Sequence, residues 1–231
     1  MRLRQKNLVI ASSLLALALA VSTTSAKADS LTIFLSGPGG APVQCADGAP
    51  CDLNPLAGAV TVVGSFGTAS VAVTNTGTGS PALGPLDLDL SYNLSANSSN
   101  PGGTFLVEVG ETNLTAAGIS FGGIANGNQS AGDTTAFSAF YDTSNTLFGN
   151  AGSLCSAGPV STTVVNLACS GGPVTATGFS LTEAVTLTTP AGSTNASGDA
   201  KLTPVPDASG FSILAMGGLF LLGAIKRKFN S

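Results

Sequence analysis

Carboxylates are the only side chains in this sequence numerous enough for acid–base or cation chemistry: it holds twelve Asp and Glu and no His. Without His, the Ser-His-Asp and Cys-His arrangements are absent, as are the usual His-bearing zinc hydrolase sites. No Gly-rich loop carries the Lys and Ser/Thr of a phosphate-binding loop. A glycosidase needs only two carboxylates, and two pairs qualify by position. Asp87 and Asp89 share one face of the alternating run Leu86-Asp87-Leu88-Asp89-Leu90, and Glu108 and Glu111 lie near a strand end. A sugar-stacking cleft is poorly supplied, with no Trp and only Tyr92 and Tyr141 as large polar aromatics. All four carboxylates read better as groups that solvate an exposed face. The chain is expected to be no enzyme and to need no cofactor.

Calcium takes several oxygen ligands, often from loops. Asp133, Asp142 and Asn145 bracket one predicted strand, and Asp47 and Asp52 lie around the first pair of cysteines. No EF-hand or repeat-type spacing is present, and Asp142 to Asn145 also reads as an Asx turn. The four cysteines are Cys45, Cys51, Cys155 and Cys169. An even number in an exported chain suggests two bridges, with three pairings open. Proximity favours Cys45–Cys51 and Cys155–Cys169. Zinc would favour tightly spaced Cys or His pairs.

These residues sit in a body built for export. Charged residues are only 9 % of the 231, while hydrophobic residues are 43 % and Gly numbers 30. Of eight basic residues, only Lys201 lies between the two ends, whereas all twelve carboxylates fall between Asp29 and Asp207. The net charge of that region is near −11. Nucleic acid, held mainly by Lys and Arg at phosphates, is excluded as a partner.

The two ends read as addresses. Arg2, Arg4 and Lys6 precede an apolar run over 8–21, and Ala26-Lys27-Ala28 offers small residues at the positions signal peptidase reads. Residues 1–28 are expected to be a signal peptide. At the other end come Val205-Pro206-Asp207, an apolar run over 211–225 and the cluster Lys226, Arg227 and Lys228. Fifteen apolar residues make a helix of about 22 Å, marginal against a hydrocarbon core of about 30 Å. The basic cluster would stay cytoplasmic and place the body outside.

That order of tripeptide, short apolar helix and basic cluster resembles the PEP-CTERM sorting signal, with Val-Pro-Asp as a variant of the commoner Pro-Glu-Pro. The resemblance implies processing by an exosortase-like membrane transpeptidase after transient residence in the inner membrane. It also implies display at the cell surface or in an extracellular polysaccharide matrix. Asp52-Leu53-Asn54-Pro55-Leu56-Ala57-Gly58-Ala59, Tyr141-Asp142-Thr143-Ser144-Asn145 and Phe179-Ser180-Leu181-Thr182-Glu183 resemble segments of uncharacterised proteins of that class, which implies no activity. The reading that follows is a structural or adhesive surface protein. The alternative is a glycan- or calcium-binding sandwich on a tail anchor.

Between the ends, period-two alternation predicts strands over 31–35, 59–66, 69–74, 86–90, 104–109, 134–141, 160–167 and 181–188. Turn signals fall at Asn75-Thr76-Gly77, Pro101-Gly102-Gly103, Asn126-Gly127-Asn128 and Ser170-Gly171-Gly172-Pro173. Polar loops are expected over 93–103 and 190–198. The fold class is therefore all-β, a jelly-roll-like β-sandwich over 29–189, with a linker over 190–204 and the sorting or anchor signal over 205–231. Intact-mass analysis of the surface form from the native host should give a chain that begins at Asp29 and ends near Asp207. A chain that keeps Met1 or Ser231 contradicts the corresponding address.

Overall fold

The computed structural model describes residues 31–66, 72–84 and 86–205. They form ten antiparallel strands: β1 Leu31–Ser36, β2 Val43–Ala46, β3 Ala59–Ser65, β4 Ala72–Thr78, β5 Leu88–Ala96, β6 Gly103–Gln129, β7 Thr134–Asp142, β8 Gly152–Val160, β9 Val164–Thr189 and β10 Thr194–Val205. The chain is an all-β antiparallel sandwich. The expected signal peptide, the apolar run and Pro206 onward lie outside the described residues. Among those described, no helix is long and apolar enough to cross a membrane.

Two strands dominate the architecture. β6 has 27 residues and β9 has 26, far beyond the roughly 3–10 of an ordinary strand. Each belongs to both layers. The first half of β6 pairs with β1 and with the second half of β9, which in turn pairs with β7. The second half of β6 pairs with β10 and with the first half of β9. The first layer therefore runs β2-β1-β6-β9-β7-β8 and the second β3-β4-β5-β10-β6-β9. Register shifts between Glu111 and Phe121 mark where the β6–β9 ribbon turns from one layer to the other, as bulges bend a strand and tighten its twist.

The layers meet over one apolar core. β5 supplies Leu88, Leu90, Tyr92 and Leu94 at every second position. Ile33, Val109, Phe105, Phe121, Phe137 and Leu202 complete its centre. Approach is close enough that some positions tolerate no side chain. A Cβ on Gly77 of β4 would lie 2.6 Å from Val109 Cγ2 across the core, and one on Gly123 of β6 only 2.4 Å from Phe137 Cε1.

Several elements differ from the sequence expectation. Residues 190–204, expected as a linker, hold a turn and then β10, a central strand paired with both β5 and β6. The sandwich thus extends to Val205 rather than stopping at residue 189. The strand predicted over 160–167 straddles the end of β8 and the start of β9. The expected turns at Asn75-Thr76-Gly77, Asn126-Gly127-Asn128 and Ser170-Gly171-Gly172-Pro173 are strand interior, β5 runs through residues 93–96 of an expected loop, and β2 was not foreseen.

Gly123→Val is expected to lower stability by about 1–3 kcal/mol, because Phe137 is fully buried and has no room to retreat. Denaturant unfolding of the oxidised protein measures it; a wild-type midpoint would show that the layers are not in contact there.

Candidate functional site

Strand pleat decides which side chains face outward on the second layer. With leucines and alanines turned to the core, the alternate positions of β5, β10, β6 and β9 face solvent. Register brings them into rows that cross the strands. Thr76, Ser91, Asp199, Asn126 and Asn166 form one row, from β4 through β9. Asn93, Ser197, Asn128 and Val164 form the next. Together they line an open groove of about 890 Å³.

The floor of the groove is built from backbone. Tyr92 on β5 lies opposite Gly198 on β10, which lies opposite Gly127 on β6. A Cβ on Gly198 would sit 2.6 Å from the Tyr92 Oη, and one on Gly127 3.0 Å. The two glycines leave the space the Tyr92 ring occupies on the inner side of the sheet. Tyr92 is 3 % exposed, so it offers no stacking platform to a ligand. Burial pushes its phenol up to about 12, and Asp199 adds to the shift.

The outward side chains are largely unengaged. Ser91 Oγ donates to Asp199 Oδ1. The amides of Asn93, Asn126, Asn128 and Asn166 make no hydrogen bond to another described residue, and all four are exposed. Each carboxamide offers two donors and an acceptor with two lone pairs. Val164, 63 % exposed, adds an apolar contact at the rim.

The carboxylates singled out in the sequence do not come together. Glu108 and Glu111 lie on opposite faces of β6 by strand alternation, Glu111 toward the core. Asp89 lies on β5 and Asp87 just before that strand, and neither lines the groove. Burial raises the pKa of both; Lys201 counters this in both, and Asp199 raises Asp89 further. Among the described residues no three Cys, Asp or Glu gather closely enough to hold a metal ion.

The candidate calcium ligands are occupied by backbone and side-chain donors. Asp52 accepts from the amides of Gly48, Asn54 and Thr61. Burial raises its pKa, but those three bonds outweigh it and leave it below the usual value. Asp47 accepts from Gly58 N at 2.7 Å, and Asp142 from Ser144 N at 2.7 Å, an Asx turn. Asn145 pairs with Asn113. Asp133 Oδ2 accepts from Thr194 Oγ1, while its buried Oδ1 has no partner among the described residues. The disulfides join Cys45 to Cys51 and Cys155 to Cys169, the proximal pairing, and two bridges fit an exported protein. Of the expected sorting motif only Val205 is described: it ends β10 opposite Ser120 and is 43 % exposed.

Sequence reasoning passed over two acidic residues, Asp199 in the groove and Glu183 in the core. Glu183, on β9, is fully buried, and neither of its carboxylate oxygens has a hydrogen-bond partner. Desolvation drives its pKa well up and Asp89 adds to this; the Leu202 amide and Lys201 oppose it without reaching hydrogen-bonding geometry. Glu111 Oε1 accepts from Ser80 N at 2.5 Å while Oε2 has no partner. Desolvation lifts Glu111 to about 7, with the Ser80 bond opposing and Asp87 assisting. The signal that was available is a Glu at an inward position of the run Phe179-Ser180-Leu181-Thr182-Glu183.

No family model matches the chain, and no curated protein matches it. Among solved structures, TmCBM61 in complex with β-1,4-galactotriose is 19 % identical, over 50 % of this chain and 71 % of its own, with a TM-score of 0.32. Likeness at that level transfers neither fold nor ligand to this chain.

The buried acids set a pH dependence. In the unfolded chain Glu111 titrates near 4.5, and in the fold at about 7. Between those values the native state keeps a proton that the unfolded state has released, so stability falls as pH rises. The loss is on the order of 3 kcal/mol for Glu111, and Glu183 acts in the same direction. The thermal midpoint should fall between about pH 5 and about pH 8, and Glu183→Gln should flatten the decline. A midpoint that climbs across that range contradicts the assignment.

Proposed function

We propose that this protein is an exported, non-catalytic adhesive module that holds polysaccharide in the groove across β4, β5, β10, β6 and β9. The observation that carries the reading is the pair of cross-strand rows, with four exposed carboxamides that make no hydrogen bond to another described residue. Sugar hydroxyls both donate and accept, and so do carboxamides. The groove volume lies within the usual range of roughly 300–1,000 Å³ for ligand sites. The two disulfides support maturation in an oxidising compartment.

The addresses at the ends fit this role. The Ala26 and Ala28 positions would direct signal peptidase, and Val205, Pro206 and Asp207 with Lys226, Arg227 and Lys228 would direct an exosortase-like transpeptidase. Calcium bound at a loop is less well supported, since the candidate aspartates are already hydrogen-bonded. β10 links the two parts of the proposal physically. Its outward Ser197 and Asp199 line the groove, and the same strand ends at Val205. At about 3.3 Å per residue, the groove rows lie about 20–26 Å along the strand from that attachment point. A ligand held there would stand clear of a surface to which the C-terminal end is fixed.

A glycan array probed with residues 29–207 tests the reading. Retention on polysaccharide is expected, and the double substitution Asn126→Ala and Asn166→Ala should weaken it at least about tenfold, a loss of about 1.4 kcal/mol. Retention that survives the double substitution would move the site elsewhere; retention on no glycan would remove the reading.

A further inference from the structure

The groove also carries information about which polysaccharide it takes. We infer that its ligand is an uncharged polysaccharide, a neutral hexose chain laid across the strands, and that polymers bearing uronate or sulfate are turned away. This rests on the carbohydrate-binding reading above and narrows it.

The first ground is charge. The lining contains one ionisable outward group, Asp199, and it is a carboxylate. Recognition of carboxylate or sulfate relies on Arg forks or Lys. The region 29–207 holds no Arg and one Lys, Lys201. Lys201 lies opposite Asp89 on β5 and interacts electrostatically with both Asp87 and Asp89. The one cation on this face is therefore already claimed by acids. An anionic repeat in the groove would face Asp199 with no compensating cation, within the roughly 8 Å over which charges act at physiological salt.

The second ground is the kind of donors offered. Asn93, Asn126, Asn128 and Asn166 present neutral groups that donate and accept equally well, as hydroxyls do. They are not the one-sided donor array that an anion requires.

The third ground is direction. The row from Thr76 to Asn166 crosses five strands, a span of about 19 Å at about 4.8 Å between strands. A short run of sugar units placed along that row would meet one polar side chain per strand. Placed along a strand, it would meet only alternate residues of one or two strands.

Affinity electrophoresis of residues 29–207, with chelator present to remove divalent bridging, is the test. The gels contain either neutral polymers (a glucan, a galactan, a mannan) or anionic ones (alginate, polygalacturonate). Retardation by a neutral polymer, absent with the anionic ones and lost in the Asn126→Ala and Asn166→Ala variant, is the expected result. Asp199→Asn should give measurable retardation by alginate or polygalacturonate where wild type gives none. Retardation of wild type by an anionic polymer, lost in the double Asn variant, would overturn the charge selection and leave the carbohydrate site standing. Failure of Asp199→Asn to admit any anionic polymer would overturn the role given to that carboxylate. Retardation by neither class would remove the carbohydrate reading itself.

Discussion

The length of β6 and β9 is the constraint on which the rest of this structure depends. At about 3.3 Å per residue, a strand of 27 residues would stretch to nearly 90 Å if straight. No compact domain of this size accommodates that. The pair instead stays hydrogen-bonded to each other and turns through the irregular register between Glu111 and Phe121. One half of the ribbon then seeds the first layer and the other half the second. β1 and β7 add to the flanks of the first half, and β10 with β5, β4 and β3 builds outward from the second. The Cys155–Cys169 bridge ties β8 to β9, and Gly123, opposite Cys169, lets Phe137 and Cys155 approach from the other layer.

A core closed this way admits few charges: among the described residues Glu111, Asp133, Asp142 and Glu183 are buried, and the two glutamates are telling. Glu183 and Glu111 point inward from β9 and β6, on the face that carries Val109 and Leu181. Burying an ionised carboxylate without a partner is far more costly than burying a neutral one, so the fold favours their protonated forms. The surrounding charges act in the same sense, since Asp87 and Asp89 outnumber Lys201. An acidic body of this kind is therefore held together better when part of its charge is discharged.

Much of the fold was legible, and most of the illegible part has one physical cause. Strict alternation in Leu86-Asp87-Leu88-Asp89-Leu90 marked the start of β5, and the runs at Leu31 and Thr134 gave β1 and β7 almost whole. The all-β sandwich and the cysteine pairing followed from turn-rich composition and from proximity. What failed was every place where turn-forming residues serve inside a strand. Asn126-Gly127-Asn128 reads as a turn by chemistry, yet its asparagines face the groove and its glycine lies under Tyr92. Thr194 to Val205 reads as a linker because Asn195, Ser197, Gly198 and Asp199 are polar or small, for the same reason. The carboxylates drew attention as the only candidates for chemistry, while the groove is made from Asn and Ser, which carry no catalytic signal. Sequence rules fail where residues are chosen for something other than folding, and here those failures fall in register across the second layer.

That coincidence bears on how the proposed site, which has no aromatic platform, would bind. Hydrogen bonds to sugar compete with hydrogen bonds to water, so each contributes little net free energy. Such a site works only if its groups are already in place, because ordering side chains at binding consumes much of the gain. Here the placement comes from the core. Leu88, Leu90 and Leu94 on β5 and Ala196, Ala200 and Leu202 on β10 are buried on the inner face. They fix the pleat, and the pleat fixes the outward positions between them. Sites built on strands hold their geometry better than sites on loops. The same leucines that close the sandwich therefore set the spacing of Ser91, Asp199, Asn126 and Asn166. A substitution that loosened the inner face would blur the groove before it unfolded the domain.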